Sequence, residues 1–115
     1  VFHRVIDGFM AQTGDVEFGK GDNLRRAGMG GSSYPDLPAE FSDISFQRGV
    51  VGMARSANPD SANSPFFIMF APGEFLDGQY TVVGRVVQGM EVVDRITRGE
   101  PPRSPDRMAK VTIAE

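Results

Sequence analysis

Six short apolar runs divide this chain, each set off by residues that favour turns. Phe2–Ile6 and Phe9–Thr13 flank Asp7-Gly8, a dipeptide that closes tight hairpins. Period-two alternation along the first run puts Phe2, Arg4 and Ile6 on one face and turns His3 the other way. Val50–Ala54 (VVGMA) predicts the next strand. Phe66–Phe70 (FFIMF) is apolar at every position, which predicts a central strand buried on both faces. Tyr80–Val87 (YTVVGRVV) is rich in β-branched residues, and Gly84 within it marks a bend. Lys110–Ala114 alternates again, with Val111 and Ile113 on one side, and predicts a closing strand. Met90, Val93 and Ile96 recur at helical spacing with Gly99 as the stop, so Met90–Ile96 is the one predicted helix.

The intervening segments are irregular. Gly14–Pro38 carries glycines, Ser and Pro with no sustained period, and loops of that length are usually functional or mobile. Arg25-Arg26 within it reads as a solvated pair. Phe41, Ile44 and Phe46 read as apolar plugs closing one end of a core. Arg55–Ser64 is a polar loop that turns at Asn58-Pro59-Asp60. Ala71–Gln79 holds Phe75-Leu76 and a second Asp-Gly turn at Asp77-Gly78. Pro101, Pro102 and Pro105 read as a stiff surface link. Many short strands and one helix predict a mainly β fold, barrel or sandwich. The barrel is favoured because FFIMF needs cover on both faces.

Composition narrows the chemistry. The chain has 115 residues, enough for one domain with a modest core. Its net charge of −3 gives no electrostatic attraction to nucleic acid or to an anionic membrane surface. No run approaches the roughly 20 apolar residues that span a bilayer. With no cysteine, disulfides, thiolate nucleophiles and Cys-based metal sites are excluded. The single histidine, His3, sits beside Arg4 on a strand and faces the opposite side, and there is no G-x-S-x-G elbow, so a Ser-His-Asp system is not expected. His3 reads as a hydrogen-bonded core or barrel-wall residue. The acidic spacing matches no EF-hand, and the glycine-rich loop lacks a Gly-Lys-Ser/Thr signature. No metal or cofactor is expected.

A non-covalent site remains. An arginine between two apolar neighbours on a buried-looking face is costly unless it is paired or used. Arg4 therefore either meets one of the fifteen acidic residues or lines a pocket. Gln12 and the Phe9-Met10 pair stand near it in sequence.

Three stretches, FHRVIDGFMAQTGD, FQRGVVGMARSANPDSANSPFFIMF and FLDGQYTVVGRVVQGMEVVDRI, closely resemble the cyclophilin family of peptidyl-prolyl cis-trans isomerases. The resemblance runs from Val1 to the C-terminus and has a bacterial flavour. It implies a closed antiparallel β-barrel, with one of the family's capping helices in the part present. It begins at the family's third strand, so residues 1–115 are expected to be one N-terminally truncated domain without the first hairpin and first helix. It also implies isomerisation of X-Pro bonds in flexible or unfolded proteins, a role in assisting folding, and no cofactor. The alternative is a proline-peptide-binding or chaperone-like module with little turnover. By resemblance Arg4 is the catalytic arginine. Phe9, Met10, Phe67 and Leu76 form the proline pocket, and Gln12 contacts the substrate backbone. Ala54, Arg55 and Ser56 pair with the bound peptide. Phe75 and Tyr80 also belong to the substrate site, standing where many relatives have tryptophan and histidine. Pro65 replaces the family's usual glutamine, which should weaken activity by about one hydrogen bond, roughly 0.5–1.5 kcal/mol. The expected partners are proline-containing peptides, with weak cyclosporin binding and a monomeric state. A cytoplasmic location is expected, with the periplasm as the alternative.

Overall fold

The computed structural model describes residues 1–21 and 23–114. Among these, five strands form one antiparallel sheet: β1 (Arg4–Ile6), β2 (Met10–Thr13), β3 (Val50–Met53), β4 (Phe66–Met69) and β5 (Val82–Arg85). Their order is β1-β2-β4-β3-β5, so FFIMF does supply the central strand. Phe67 and Met69 are buried, whereas Phe66 and Ile68 are half-buried, so only one face of β4 is sealed. The mainly β antiparallel architecture is as expected. The described strands form an open sheet, with β1 and β5 at its edges.

Local chemistry sets the ends of these elements. Asp7-Gly8 turns the first hairpin, with Gly8 in the left-handed region at φ +72°. Between β3 and β5 the register shifts, since Val51 opposes Gly84 but Gly52 opposes Val82. Val83 is therefore an extra residue beside Gly84, a bulge where the sequence predicts a bend. Gly52 is required by close approach: a Cβ there would stand 2.6 Å from the Phe67 ring and 2.7 Å from Phe46.

Two apolar clusters hold the sheet. One contains Met10, Phe46, Val50, Phe67, Met69 and Leu76, with Phe46 and Phe67 stacked at 5.7 Å between ring centroids. The other contains Phe2, Val5, Ala11, Phe70 and Ile96. Neighbours Met10 and Ala11 serve different clusters because successive strand side chains face opposite ways. Phe2 belongs with Val5, not with Arg4 and Ile6 as alternation predicts, because β1 begins only at Arg4. Of the three predicted plugs only Phe46 is buried; Phe41 and Ile44 are exposed.

The predicted helix is one turn, α1 (Met90–Val93). Its spacing is nevertheless right for packing, since Met90 and Val93 lean on the second cluster and Ile96 is buried in it. Past the turn the Arg98 guanidinium donates to the carbonyls of Asp94 and Ile96, at 2.6 and 2.7 Å. Lys110–Ala114 is not a strand: Val111 is 72% and Ile113 94% exposed, and no described strand pairs with them. Alternation alone creates no ladder without a neighbouring edge. Pro102 is buried and Pro101 lines a cavity, so the proline segment is more than a surface link.

Candidate active site

The sheet register assembles the site. Arg4 lies directly opposite Gln12, Gln12 opposite Phe67, and Phe67 opposite Gly52. Directly opposed residues share a face, so an arginine, an amide and an aromatic ring stand in one row across four strands. Glycine ends the row, which leaves room for the Phe67 ring. Met10, two residues before Gln12 on β2, joins the same face.

This row floors a cavity of about 430 Å³. Nine of the residues implicated by sequence line it: Arg4, Phe9, Met10, Gln12, Ala54, Arg55, Phe67, Leu76 and Tyr80. Tyr80 meets Phe67 edge-on at 5.9 Å, and Arg55 lies 4.4 Å over the Tyr80 ring while donating to the Gln79 carbonyl at 2.6 Å. Phe75 stands outside the lining. It is 67% exposed on the short helical turn Glu74–Leu76 and touches Phe9 at 5.5 Å between centroids. Ser56 lines a second cavity of about 480 Å³, which Gln12, Ala54 and Arg55 share with the first. The Ala54 N–H donates to the Pro65 carbonyl at 3.0 Å, and the Ser56 N–H donates to Ser61 Oγ at 2.9 Å. Pro65 itself lines the second cavity, as Gln12 does.

Sequence reasoning missed one wall entirely. Leu24, Arg25, Ala27, Gly28 and Met29 from the long loop line the first cavity, so Arg25 is more than a solvated residue. Arg26 lies 4.3 Å over the Phe18 ring. The loop is tethered by buried Asp15, whose two carboxylate oxygens accept from the backbone N–H groups of Glu17, Phe18, Gly28 and Gly30 at 2.8–3.0 Å. Burial alone would raise the pKa of this carboxyl. The four donors outweigh that effect and hold it below its ordinary value. An acidic residue followed by a glycine-rich loop was the signal available in the sequence.

His3 also departs from expectation. Its ring is buried, its Nδ1 has no hydrogen-bond partner, and it borders the same cavity as Arg4. Residue 3 precedes β1, so strict alternation does not govern it. Gly28, at φ +96°, lies against the ring, and a Cβ there would be 2.7 Å from His3 Cδ2. Burial lowers the pKa of His3; Arg4 adds to the effect and Asp15 opposes it. The folded state therefore takes up a proton less readily than the unfolded chain, whose histidine titrates near about pH 6.5. Stability from this group is complete above that pH and falls as pH drops toward the folded pKa. Urea midpoints measured from about pH 8 down to about pH 5 should decline through this window, and His3→Gln should flatten the slope.

Arg4 Nε donates to Glu100 Oε1 at 2.7 Å, so the arginine both carries an ion pair and lines the cavity. Among the described residues no group of three His, Cys, Asp or Glu side chains is arranged to hold a metal ion. Among the same described residues no helix is long and apolar enough to cross a membrane.

Fold and cavity define an antiparallel β-sheet protein in which an arginine and an amide share a cavity with a wall of aromatic and aliphatic side chains. The chain belongs to the family described as Cyclophilin type peptidyl-prolyl cis-trans isomerase/CLD, whose model matches residues 1–115. It is 62% identical over 120 residues to a probable peptidyl-prolyl cis-trans isomerase of Brucella abortus (strain 2308), covering 97% of this chain and 61% of that protein. A peptidyl-prolyl cis-trans isomerase of Acinetobacter baylyi is 40% identical over 101 residues, 84% of this chain and 50% of that protein. Among solved structures, a cyclophilin from Hirschia baltica superposes with a TM-score of 0.74 at 26% identity, covering 90% of this chain and 55% of its own. A Cryptosporidium parvum cyclophilin type isomerase, crystallised in the presence of the dipeptide Ala-Pro, gives a TM-score of 0.75 at 25% identity, with 91% and 68% covered. The chain thus spans about three-fifths of the length of the Brucella relative.

Proposed function

We propose that this domain catalyses rotation about X-Pro peptide bonds in flexible or unfolded proteins by a non-covalent mechanism. The observation that carries the reading is the cross-strand row Arg4–Gln12–Phe67 on a cavity that has Phe9, Met10 and Leu76 as apolar wall. Amide resonance sets a barrier of about 18–20 kcal/mol to this rotation. No bond is broken, so no nucleophile, metal or cofactor is needed. At the twisted transition state the prolyl nitrogen becomes pyramidal and regains a lone pair, and an Arg4 N–H donates to it. That hydrogen bond is weak in the planar ground state, so it is spent on the transition state. Met10, Phe67 and Leu76 grip the ring and exclude the water that stabilises the planar amide, while Gln12 holds the peptide backbone. The Ala-Pro dipeptide named with the Cryptosporidium relative agrees with such a ligand. A protease-coupled or NMR exchange assay on a prolyl peptide tests the reading. Catalysis above the solvent rate is expected, whereas binding without catalysis would mark a peptide-binding module instead.

Cyclosporin binding is proposed to be weak. Phe75 stands exposed at the rim against Phe9 and offers no N–H donor. Phe75→Trp restores an indole N–H and should tighten the cyclosporin Kd by about tenfold, the value of roughly one hydrogen bond. Titration calorimetry that finds equal affinities would remove residue 75 as the determinant.

A further inference from the structure

Glu100 is 96 residues from Arg4 in sequence, yet the fold places them side by side. After α1 the chain returns along the outer edge of β1. Val5 and Gly99 exchange two backbone hydrogen bonds there, Val5 N–H to Gly99 O at 2.7 Å and Gly99 N–H to Val5 O at 2.8 Å. An antiparallel pair so bonded sets Glu100 directly opposite Arg4, on the same face. Glu100 therefore extends the row Arg4–Gln12–Phe67 by one position beyond the sheet edge.

The backbone that carries this carboxylate is held on both sides. Gly99 packs so closely on the next turn that a Cβ would stand 2.5 Å from Pro102 Cα, and Pro102 is buried. Upstream, Arg98 lies 4.2 Å over the Phe70 ring and donates from Nε to Asp7 Oδ1 at 3.1 Å. The contact also falls on a particular atom. Glu100 Oε1 accepts from Nε of Arg4, and no Nη of Arg4 is bonded to a protein atom among the described residues. Four of the five guanidinium N–H groups thus stay available at the cavity while the plane of the group is fixed.

We propose that Glu100 is a positioning residue for Arg4, orienting the guanidinium so that a terminal N–H meets the prolyl nitrogen. The proposal rests on the isomerase reading above. The two side chains are 40% and 61% exposed, so the pair adds little to folding. Its effect lies in geometry, because a small misplacement of a reacting group is costly to rate.

The test compares kcat and KM on a prolyl peptide for the wild type, Glu100→Ala, Glu100→Gln, Arg4→Ala and the Arg4→Ala/Glu100→Ala pair. Glu100→Ala should lower kcat on the order of tenfold with KM nearly unchanged. Glu100→Gln keeps an acceptor oxygen and should restore most of the loss. In the Arg4→Ala background Glu100→Ala should have no further effect. Independently of activity, the Arg4 Nε–H resonance should be protected from exchange in the wild type and Glu100→Gln, and unprotected in Glu100→Ala. An unchanged or faster Glu100→Ala enzyme, or an equal loss in both Arg4 backgrounds, overturns the proposal. Equal rates for wild type and Arg4→Ala would instead bring down the isomerase reading, and this role with it.

Discussion

Replacing Arg4 by alanine is expected to lower kcat/KM on a prolyl peptide by about 10²–10³, the equivalent of roughly 2.7–4 kcal/mol of transition-state stabilisation. Arg4 is half-exposed and sits on the first residue of an edge strand, so its loss should leave the fold and its far-ultraviolet dichroism unchanged. Truncation removes the cationic donor that stands directly opposite Gln12 at the cavity. Arg4→Lys makes a sharper comparison. The ammonium keeps the charge, but it has neither the Nε–H that meets Glu100 nor a planar pair of terminal donors. It should recover little of the lost rate. A lysine variant as fast as the wild type would mean that charge alone suffices, contrary to the directional hydrogen bond proposed here.

The second large effect concerns Asp15, which lies outside the cavity lining. Asp15→Ala leaves four backbone N–H groups without their acceptor. A fully buried donor left unpaired costs about 1–3 kcal/mol, and these four are partly buried. Even with water reaching some of them, a loss of roughly 3–5 kcal/mol is expected, a large share of the roughly 5–15 kcal/mol that holds a domain folded. Urea denaturation followed by dichroism measures it. Because the same carboxylate ties Gly28 and Gly30, residues 24–29 should also leave the cavity wall, raising KM for prolyl peptides. The pH dependence has a definite sign. The folded pKa of Asp15 is depressed, so its contribution is complete above the unfolded value of about 3.9 and is lost as pH falls through the folded value. Asp15→Ala should lack that acid limb and keep the one below about pH 6.5 that belongs to His3, since burial still lowers the His3 pKa once the opposing Asp15 charge is gone.

How much could be read in advance differs from residue to residue. The Asp7-Gly8 hairpin, the central position of Phe66–Met69 and the bend at Gly84 all follow from local rules of turn chemistry and period two. So does the burial of Ile96, although α1 closes after one turn. The terminal strand failed because alternation describes a strand only when another edge accepts its hydrogen bonds. His3 and Phe2 failed because period two was extended beyond the true start of β1. The site residues Arg4, Phe9, Met10 and Gln12 sit within one hairpin, so a short stretch of sequence carries their relation.

The sequence by itself determined five of the six strand-forming segments, the Asp7-Gly8 turn, the absence of cysteine and nine of the residues that line the cavity. These depend on side-chain type and on neighbours a few positions away. Only the tertiary structure decided which residues stand beside them. Within the register Arg4–Gln12–Phe67–Gly52, the Gln12–Phe67 step joins strands more than fifty residues apart. Asp15 draws the loop to His3, and the return of the chain at Gly99 delivers Glu100 to Arg4. Those placements are set by hydrogen-bond pairing between distant backbone segments, and residue identity along a single stretch does not encode which partner will arrive.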